Sequence, residues 1–349
     1  MIGIALLTLV PGELGGSETY VRELLRGLAR VGEREYRAYL PPVAPKAAPE
    51  LPSEVVTEYA AAHSPRERLV AMSAAAARPA ELRARIRGDV VHYPLTIRIP
   101  PGIVPSVVTL HDLQHLDLPR LFSRAERAFR GLAWHRSVRG ATLVIAPSAF
   151  VRDRATELLG LDPRRVRVVH HGIDHNVFSP GGEEREPFLL YPARPWPHKN
   201  HTRLFEAFAL LRRERPELRL VLTGGGNFGA VPDGVEVRGL VAHHELVGLL
   251  RRASALVFPS LYEGFGQPPL EAMACGCPVA CSDAASLPEV CGEAARYFHP
   301  DDPRQIATAV LDVLAAPEDW SAKGLVRARA FTWESSARAH DAVYAELLQ

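Results

Sequence analysis

Glu263 and Glu271 stand eight positions apart in SALVFPSLYEGFGQPPLEAMACGCPVA, from Ser254 to Ala280, with Gly264, Gly266, Pro268 and Pro269 between them. Ionised carboxylates accept hydrogen bonds and donate none, so this pair suits the hydroxyls of a sugar or ribose rather than an anion. The two glycines let the backbone turn sharply and leave room for a ligand against it. The prolines suit a helix start, where a missing N–H costs nothing, and the free N–H groups of that helix end favour an anion lying over the glycines. Phosphate held by a helix end beside hydroxyls held by carboxylates describes a nucleotide sugar. The same spacing also fits a buried strand-to-helix turn with one solvated and one capping glutamate.

Cations for a diphosphate stand upstream in PARPWPHKN. The chain has only three lysines, at 46, 199 and 323, against 38 arginines, so Lys199 is not the default cation of this sequence. Arg194 and Lys199, five apart in a turn before a helix start, form a clamp of one delocalised fork and one point charge. Near the N-terminus, Gly15 and Gly16 separate an apolar strand from a helix and make a second anion-compatible corner. His111 ends another apolar run in TLHDLQHLD, the strand-end position where open α/β sheets carry ligands, while His115 and Asp117 read as structural. Gly224, Gly226 and Gly229 fit G-x-G-x-x-G by count, but AVPDG follows where a dinucleotide site needs a helix, so that reading is rejected. Cys275, Cys277, Cys281 and Cys291 contain no C-x-x-C pair and have one nearby imidazole in His299; buried packing suits them better than a metal.

The elements that position these groups alternate along the whole chain. In the first half, apolar strands are expected at 2–10, Tyr36 to Leu40, Val90 to Tyr93, Val104 to Leu110, 141–145 and Val166 to Val169. Helices are expected from Ser17, as cap, to Val31, in the Ala/Arg-rich stretch ending near Arg87, from Ser123 to Arg139, and from the Ser148 cap to Leu159. A polar Gly- and Pro-bearing stretch near 175–186 reads as a linker. Alternation then restarts, with strands at Phe188 to Tyr191, Leu218 to Leu222, Val235 to Val237, Ala255 to Phe258 and Pro278 to Cys281. Helices are expected from Asn200 to Glu214, His243 to Arg252, Pro303 to Ala315 and Trp333 to Leu348.

A chain of 349 residues is longer than most single cores, so two α/β domains are expected. Residues 1–178 hold 24 basic against 18 acidic side chains, and residues 179–349 hold 17 against 22. The first-half excess suits an anionic membrane face or substrate but is too small, and too free of basic blocks, for nucleic acid. The Arg-rich 123–139 segment is either a solvated face or a peripheral contact with lipid. Met1 runs straight into IGIALLTLV without a basic leader, and no apolar run reaches transmembrane length, so a cytoplasmic protein is expected, with peripheral contact at the inner membrane face left open.

Together GGSE, HHGID, RPWPHKN and E-G-F-G-Q-P-P-L-E-A-M-A-C-G-C-P-V resemble the retaining glycosyltransferases of family 4, across nearly the whole chain and in motif order. The resemblance implies a GT-B fold, two Rossmann-like domains facing across a cleft: an acceptor-side domain at 1–178, a nucleotide-sugar domain at 179–332, and a terminal helix at 333–349 returning to the first domain. It implies that Glu263 approaches the donor sugar's hydroxyls, Glu271 the ribose, and Arg194 and Lys199 the diphosphate, helped by Gly15 or Gly16 and by backbone N–H groups of Phe265, Gly266 and Gln267. His111 would lie beside the transferred sugar, and the loop 41–65 would shape the acceptor site. Gln267 stands where an apolar residue is more usual, but only its backbone is implicated. The implied reaction is hexosyl transfer from a UDP- or GDP-linked donor, with GDP-mannose favoured by RPWPHKN, to a glycan, lipid-linked or natural-product acceptor. No cofactor and no metal is expected, since no D-x-D motif occurs and Asp301-Asp302 precedes a helix. An epimerase or phosphorylase of the same fold, and a non-catalytic nucleotide-sugar-binding protein, are the alternatives.

Overall fold

The computed structural model describes residues 1–59, 64–103 and 105–349. It divides into two compact units, Met1–Gly172 with Trp333–Gln349, and Ile173–Thr332. The division falls six residues before position 178, because Ile173 and Phe178 already pack in the core of the second unit.

The first unit is built on a parallel sheet of seven strands: β1 (Ile2–Ala5), β2 (Tyr36–Leu40), β3 (Ser53–Val55), β4 (Val90–Tyr93), β5 (Ser106–Thr109), β6 (Leu143–Ala146) and β7 (Val166–Val168). Their spatial order is β3-β2-β1-β4-β5-β6-β7. Successive side chains point to opposite faces, and both faces are covered. Val90, Val107 and Ile145 enter one core, while Val91, Val108 and Val144 enter the other. This two-sided burial is why the strands read as continuous apolar runs.

The terminal helix Trp333–Ala345 packs in this unit against the helix Gly16–Val31. Gly27 makes the approach possible, since a Cβ there would meet the Ala337 Cβ at 2.8 Å. Trp333, Ala337, His340 and Tyr344 share one helical face, and that face carries a buried chain of hydrogen bonds. His340 Nδ1 lies 2.8 Å from the Ser336 carbonyl, which can only accept, so Nδ1 holds the proton and Nε2 accepts from the Tyr20 hydroxyl at 2.8 Å. Tyr20 in turn accepts from Thr109 at 2.9 Å, Thr109 from His92 Nε2 at 2.9 Å, and His92 Nδ1 from Tyr344 at 2.8 Å. Every donor in the sequence has one acceptor when both imidazoles are neutral. Burial holds them so, lowering His340 to about 4 and His92 well below its ordinary value.

The second unit repeats the design with β8 (Glu186–Pro192), β9 (Arg219–Thr223), β10 (Val235–Gly239), β11 (Ala253–Phe258), β12 (Val279–Ser282) and β13 (Arg296–Phe298), in the parallel order β10-β9-β8-β11-β12-β13. In both sheets the order reverses beside the first strand, leaving a crevice at the carboxyl ends of β1 and β4 and of β8 and β11. The four cysteines are reduced and buried in the second core.

Several boundaries differ from expectation. The first strand ends at Ala5, where its pairing with β2 stops, and Leu6–Val10 curl into a buried turn. Gly15, with φ 56°, occupies the cap position instead of Ser17, which lies in the first helical turn. The Ala/Arg-rich helix breaks into Pro65–Ala77 and Pro79–Arg85, since Pro79 offers no N–H to continue the first. Edge strand β3 and helix Pro317–Ala328 were not anticipated. Val104, expected in a strand, lies outside the described residues, as do 60–63 of the loop 41–65. No helix among the described residues is long and apolar enough to cross a membrane.

Replacing His340 by leucine leaves the Tyr20 hydroxyl without its acceptor, and thermal unfolding should show a loss of about 1–3 kcal/mol. Because the folded His340 is depressed to about 4, its contribution is present above the unfolded value of about 6.5 and lost as pH falls toward 4. The decline in stability between pH 7 and 5 should therefore be shallower in His340→Leu than in the wild type.

Candidate functional site

The crevice beside β8 and β11 is lined by the loops that follow those two strands, and Arg194, Lys199 and Glu263 all lie on them. Asn200 ties the loops down. It adopts a left-handed conformation, φ 59° and ψ 39°, which asparagine tolerates better than most residues. From there its amide donates to the Pro259 carbonyl at 3.2 Å and the Pro300 carbonyl at 2.7 Å. Leu261 N–H donates to the His198 carbonyl at 2.7 Å, and the Tyr191 hydroxyl donates to the Lys199 carbonyl at 2.6 Å. With its backbone fixed, Lys199 places Nζ 2.5 Å from Glu263 Oε1 and 5.3 Å from the centre of the Phe258 ring. Both side chains are mostly buried, with exposures of 12% and 13%, so the pair is poorly screened by solvent. Arg194 lies over Trp196, 5.6 Å from its ring centre, and Trp196 is 45% exposed.

Beyond Glu263 the chain turns through Phe265 and Gly266 into the helix Gln267–Ala274. Gly266 has φ 108°, and a Cβ there would meet Leu287 at 2.7 Å. Ser286 reaches back from a later loop, its hydroxyl 2.9 Å from the Glu263 carbonyl and 2.7 Å from the Phe265 carbonyl. Both carbonyls of the turn are therefore occupied as acceptors. Pro268 and Pro269 fall in the first helical turn, and Glu271 follows one residue after Leu270, which is buried in the core. Glu271 is part-buried with no hydrogen-bond partner for its carboxyl among the described residues, and desolvation raises it to about 7. A carboxyl in that state gains from hydroxyl donors that stabilise its ionised form.

The triple glycine after β9 has a packing role. No helix follows Thr223. A Cβ on Gly224 would meet the Ala193 carbonyl carbon at 2.8 Å, and one on Gly226 would meet Pro195 Cδ at 2.7 Å. The glycines let this loop lie directly against the one that carries Arg194.

In the first unit, Gly15 and Gly16 sit at the start of the helix after β1, and a Cβ on Gly16 would meet nothing within 4 Å. Glu18 in the first turn accepts from the Gly12 N–H at 2.8 Å and so closes the loop on itself. His111 follows β5. Its Nε2 donates to the Pro94 carbonyl at 2.8 Å, and burial lowers it to about 4, so the ring is neutral with Nδ1 as the acceptor. Tyr20 packs edge-on to it at 5.0 Å. His115 and Asp117 are structural: His115 pairs with His135 at 3.0 Å and Asp117 with Arg154.

The structure thus brings Lys199 and Glu263 into direct contact, sets Arg194 on the same loop as Lys199, and carries Phe265, Gly266, Gln267 and Glu271 on the adjoining turn and helix. Gly15, Gly16 and His111 belong to the other unit. Asn200 and Ser286 escaped the sequence reading as positioning residues. In the sequence Asn200 reads as a helix start, which hides its left-handed conformation, and Ser286 acts on a turn more than twenty residues upstream, with no local pattern to mark it. Among the described residues no group of three or more His, Cys, Asp or Glu side chains is arranged to hold a metal ion.

Two doubly wound parallel units, each with its polar loops at the carboxyl edge of the sheet, have the architecture of GT-B glycosyltransferases. Sucrose-phosphate synthase from Thermosynechococcus elongatus superposes with a TM-score of 0.81 at 21% identity, over 99% of this chain and 98% of that one. Residues 14–177 match the model of Glycosyltransferase Family 4, and residues 186–316 that of Glycosyl transferases group 1. O-antigen chain mannosyltransferase B of Escherichia coli is 28% identical over 274 residues, 71% of this chain and 72% of that protein. D-inositol 3-phosphate glycosyltransferase of Frankia alni is 32% identical over 272 residues, 67% of each chain. The chain belongs to glycosyltransferase family 4.

Asn200→Ala should lose both amide bonds and set an alanine in a left-handed conformation, for a combined cost of about 2–4 kcal/mol. Asn200→Gly keeps the conformation without strain and should cost visibly less. Chemical denaturation of the two variants checks the order.

Proposed function

We propose that the protein is a retaining, metal-independent glycosyltransferase that moves a hexosyl group from a nucleoside diphosphate sugar to a glycan, lipid-linked or small natural-product acceptor. The observation that carries this reading is the Lys199–Glu263 contact at the β8/β11 crevice. In a nucleotide sugar the anomeric carbon joins a hydroxylated ring to a phosphate. A cation and a carboxylate side by side match that junction, one for the phosphate oxygens and one for the ring hydroxyls. Arg194 adds a second cation on the same loop. The N–H groups around Gly266 and Gln267, at the positive end of the helix Gln267–Ala274, add fixed dipoles for the diphosphate. Glu271 then takes the ribose hydroxyls.

During transfer the acceptor oxygen bonds to the anomeric carbon as the bond from that carbon to the phosphate oxygen breaks. The acceptor's proton passes to the departing oxygen on the same face, and the configuration is kept. Negative charge accumulates on the leaving diphosphate, where Arg194, Lys199 and the helix end stabilise it without reorganising. With these groups present the chemistry has no need of a metal. Glu263, engaged by Lys199, holds hydroxyls and does not act as nucleophile. His111, neutral in the first unit, offers Nδ1 as a hydrogen-bond acceptor. A GDP-linked donor, GDP-mannose in particular, is favoured by the likeness to the O-antigen chain mannosyltransferase; a UDP-linked donor is the second choice.

Thermal shift with GDP, UDP, ADP and their sugars tests the donor, since a specific ligand at about 100 times its Kd adds about 2.7 kcal/mol. Arg194→Ala and Lys199→Ala should each weaken nucleotide diphosphate binding by about 2–5 kcal/mol, and donor kinetics unchanged in both would overturn the clamp. Transfer should persist in EDTA. Nucleotide affinity should also rise with pH up to about 7 and level off above it, because free Glu271 is raised to about 7 and ribose hydroxyls favour its ionised form. Calorimetry on Glu271→Gln should show that part of the pH dependence gone.

A further inference from the structure

Pro195, Trp196, Pro197 and His198 separate Arg194 from Lys199, and the middle of that run is built to hold still. A proline fixes its own φ and drives the residue before it into an extended conformation, so Pro195 constrains Arg194 and Pro197 constrains Trp196. Trp196 is extended accordingly, with φ −77° and ψ 145°. Its N–H donates to the Arg194 carbonyl at 2.7 Å, and its own carbonyl accepts from the Lys199 N–H at 2.9 Å. The backbone of Trp196 thus ties the two cations of the clamp to each other. Pro195 in turn rests against the glycine loop after β9, where a Cβ on Gly226 would meet its Cδ at 2.7 Å.

The indole adds to this. Of the four tryptophans in the chain, Trp196 is the exposed one, so the packing of a core does not account for it. Its ring meets the Arg194 guanidinium, 5.6 Å from the ring centre and within range of cation–π attraction, and the His198 imidazole, 5.7 Å away between ring centres. An arginine side chain has many rotamers in solution, and an aromatic face held beside it removes some of that freedom before a ligand arrives. Lys199 is already engaged by Glu263 at 2.5 Å. With both cations held, their separation is held as well. Two charges at a set separation match a ligand that carries two phosphoryl groups. A freely turning Arg194 would follow a lone phosphate as readily as the second phosphate of a pair.

We propose that Trp196 is the positioning residue of the clamp, and that by holding the Arg194 guanidinium it makes the site selective for a diphosphate over a monophosphate. The inference rests on the glycosyl-transfer reading above, in which Arg194 and Lys199 bind the donor's diphosphate. Calorimetry on the full chain with GDP, GMP, UDP and UMP tests it. Trp196→Ala keeps both backbone bonds but removes the ring, and should lower the ratio of diphosphate to monophosphate affinity by about threefold or more. Trp196→Phe, which keeps an aromatic face for the guanidinium, should restore most of that ratio. In an Arg194→Ala background Trp196→Ala should have no further effect, because the ring acts through the guanidinium. In the ligand-free protein, the Arg194 side-chain Nε–H resonance, assigned by its loss in Arg194→Ala, should move in Trp196→Ala as the ring current disappears. If Trp196→Ala does not fold, Trp196→Leu takes its place. An unchanged affinity ratio, equal weakening of diphosphate and monophosphate, or a full effect of Trp196→Ala without Arg194 would overturn the proposal, the last because the indole would then touch the ligand itself. Wild-type protein that binds neither GDP nor UDP would strike the glycosyl-transfer reading and the selectivity with it, while the Nε–H resonance still decides whether Trp196 positions Arg194: a resonance that does not move overturns that role.

Discussion

The amide of Asn200 donates to two carbonyls on two different loops, and the candidate donor site is drawn around that pair of bonds. Parallel strands deliver their loops to one edge of the sheet, but nothing in strand pairing dictates how those loops lie against each other. Here the left-handed Asn200, the Leu261–His198 backbone bond and the Ser286 hydroxyl fix the relation from both sides. Lys199 and Glu263 are consequently held in contact by their backbones as well as by their charges. A mostly buried ion pair gains little net stability from its own attraction once desolvation is counted. Its presence at the crevice is better explained by what it prepares for a ligand than by what it adds to the fold.

The first unit solves a different problem by related means. Its buried Tyr20, His92, Thr109, His340 and Tyr344 would each be costly alone, yet they form one directed sequence of bonds from Tyr344 to the Ser336 carbonyl. Each imidazole has a defined tautomer because a carbonyl at one end accepts only. Such a chain has one satisfactory register, so the terminal helix docks in one position along its axis. Thr109 lies two residues before His111, and the same docking steadies the strand end that carries it.

Much of this was legible in the residues. Continuous apolar runs identified most strands because both sheets are covered on both faces, and the scarcity of lysine singled out Lys199. The glycine and proline pattern placed Glu271 on a helix and Glu263 before it. What escaped depends on contacts distant in sequence. Ser53–Val55 is a short edge strand with one neighbour and a polar sequence, so its pairing with β2 leaves no apolar signature. Ser17 is a better intrinsic cap than Gly15, yet the tight turn after β1 needs a positive φ there and glycine supplies it. The triple glycine is the reverse case, a motif whose count fits a dinucleotide site while its geometry serves the approach of two loops.

The first unit is discontinuous, and this has a bearing on how the protein is made. Residues 173–332 are contiguous and carry every strand of their own sheet, so that unit has all it requires as soon as Thr332 has left the ribosome. The unit that begins earlier ends later. Until the last helix emerges, Tyr20 lacks its imidazole acceptor and Gly27 lacks the surface it was shaped for. Of these two units, the one whose synthesis starts first is therefore the last to close, and a nascent chain stalled before residue 333 would display one finished unit and one with an open flank.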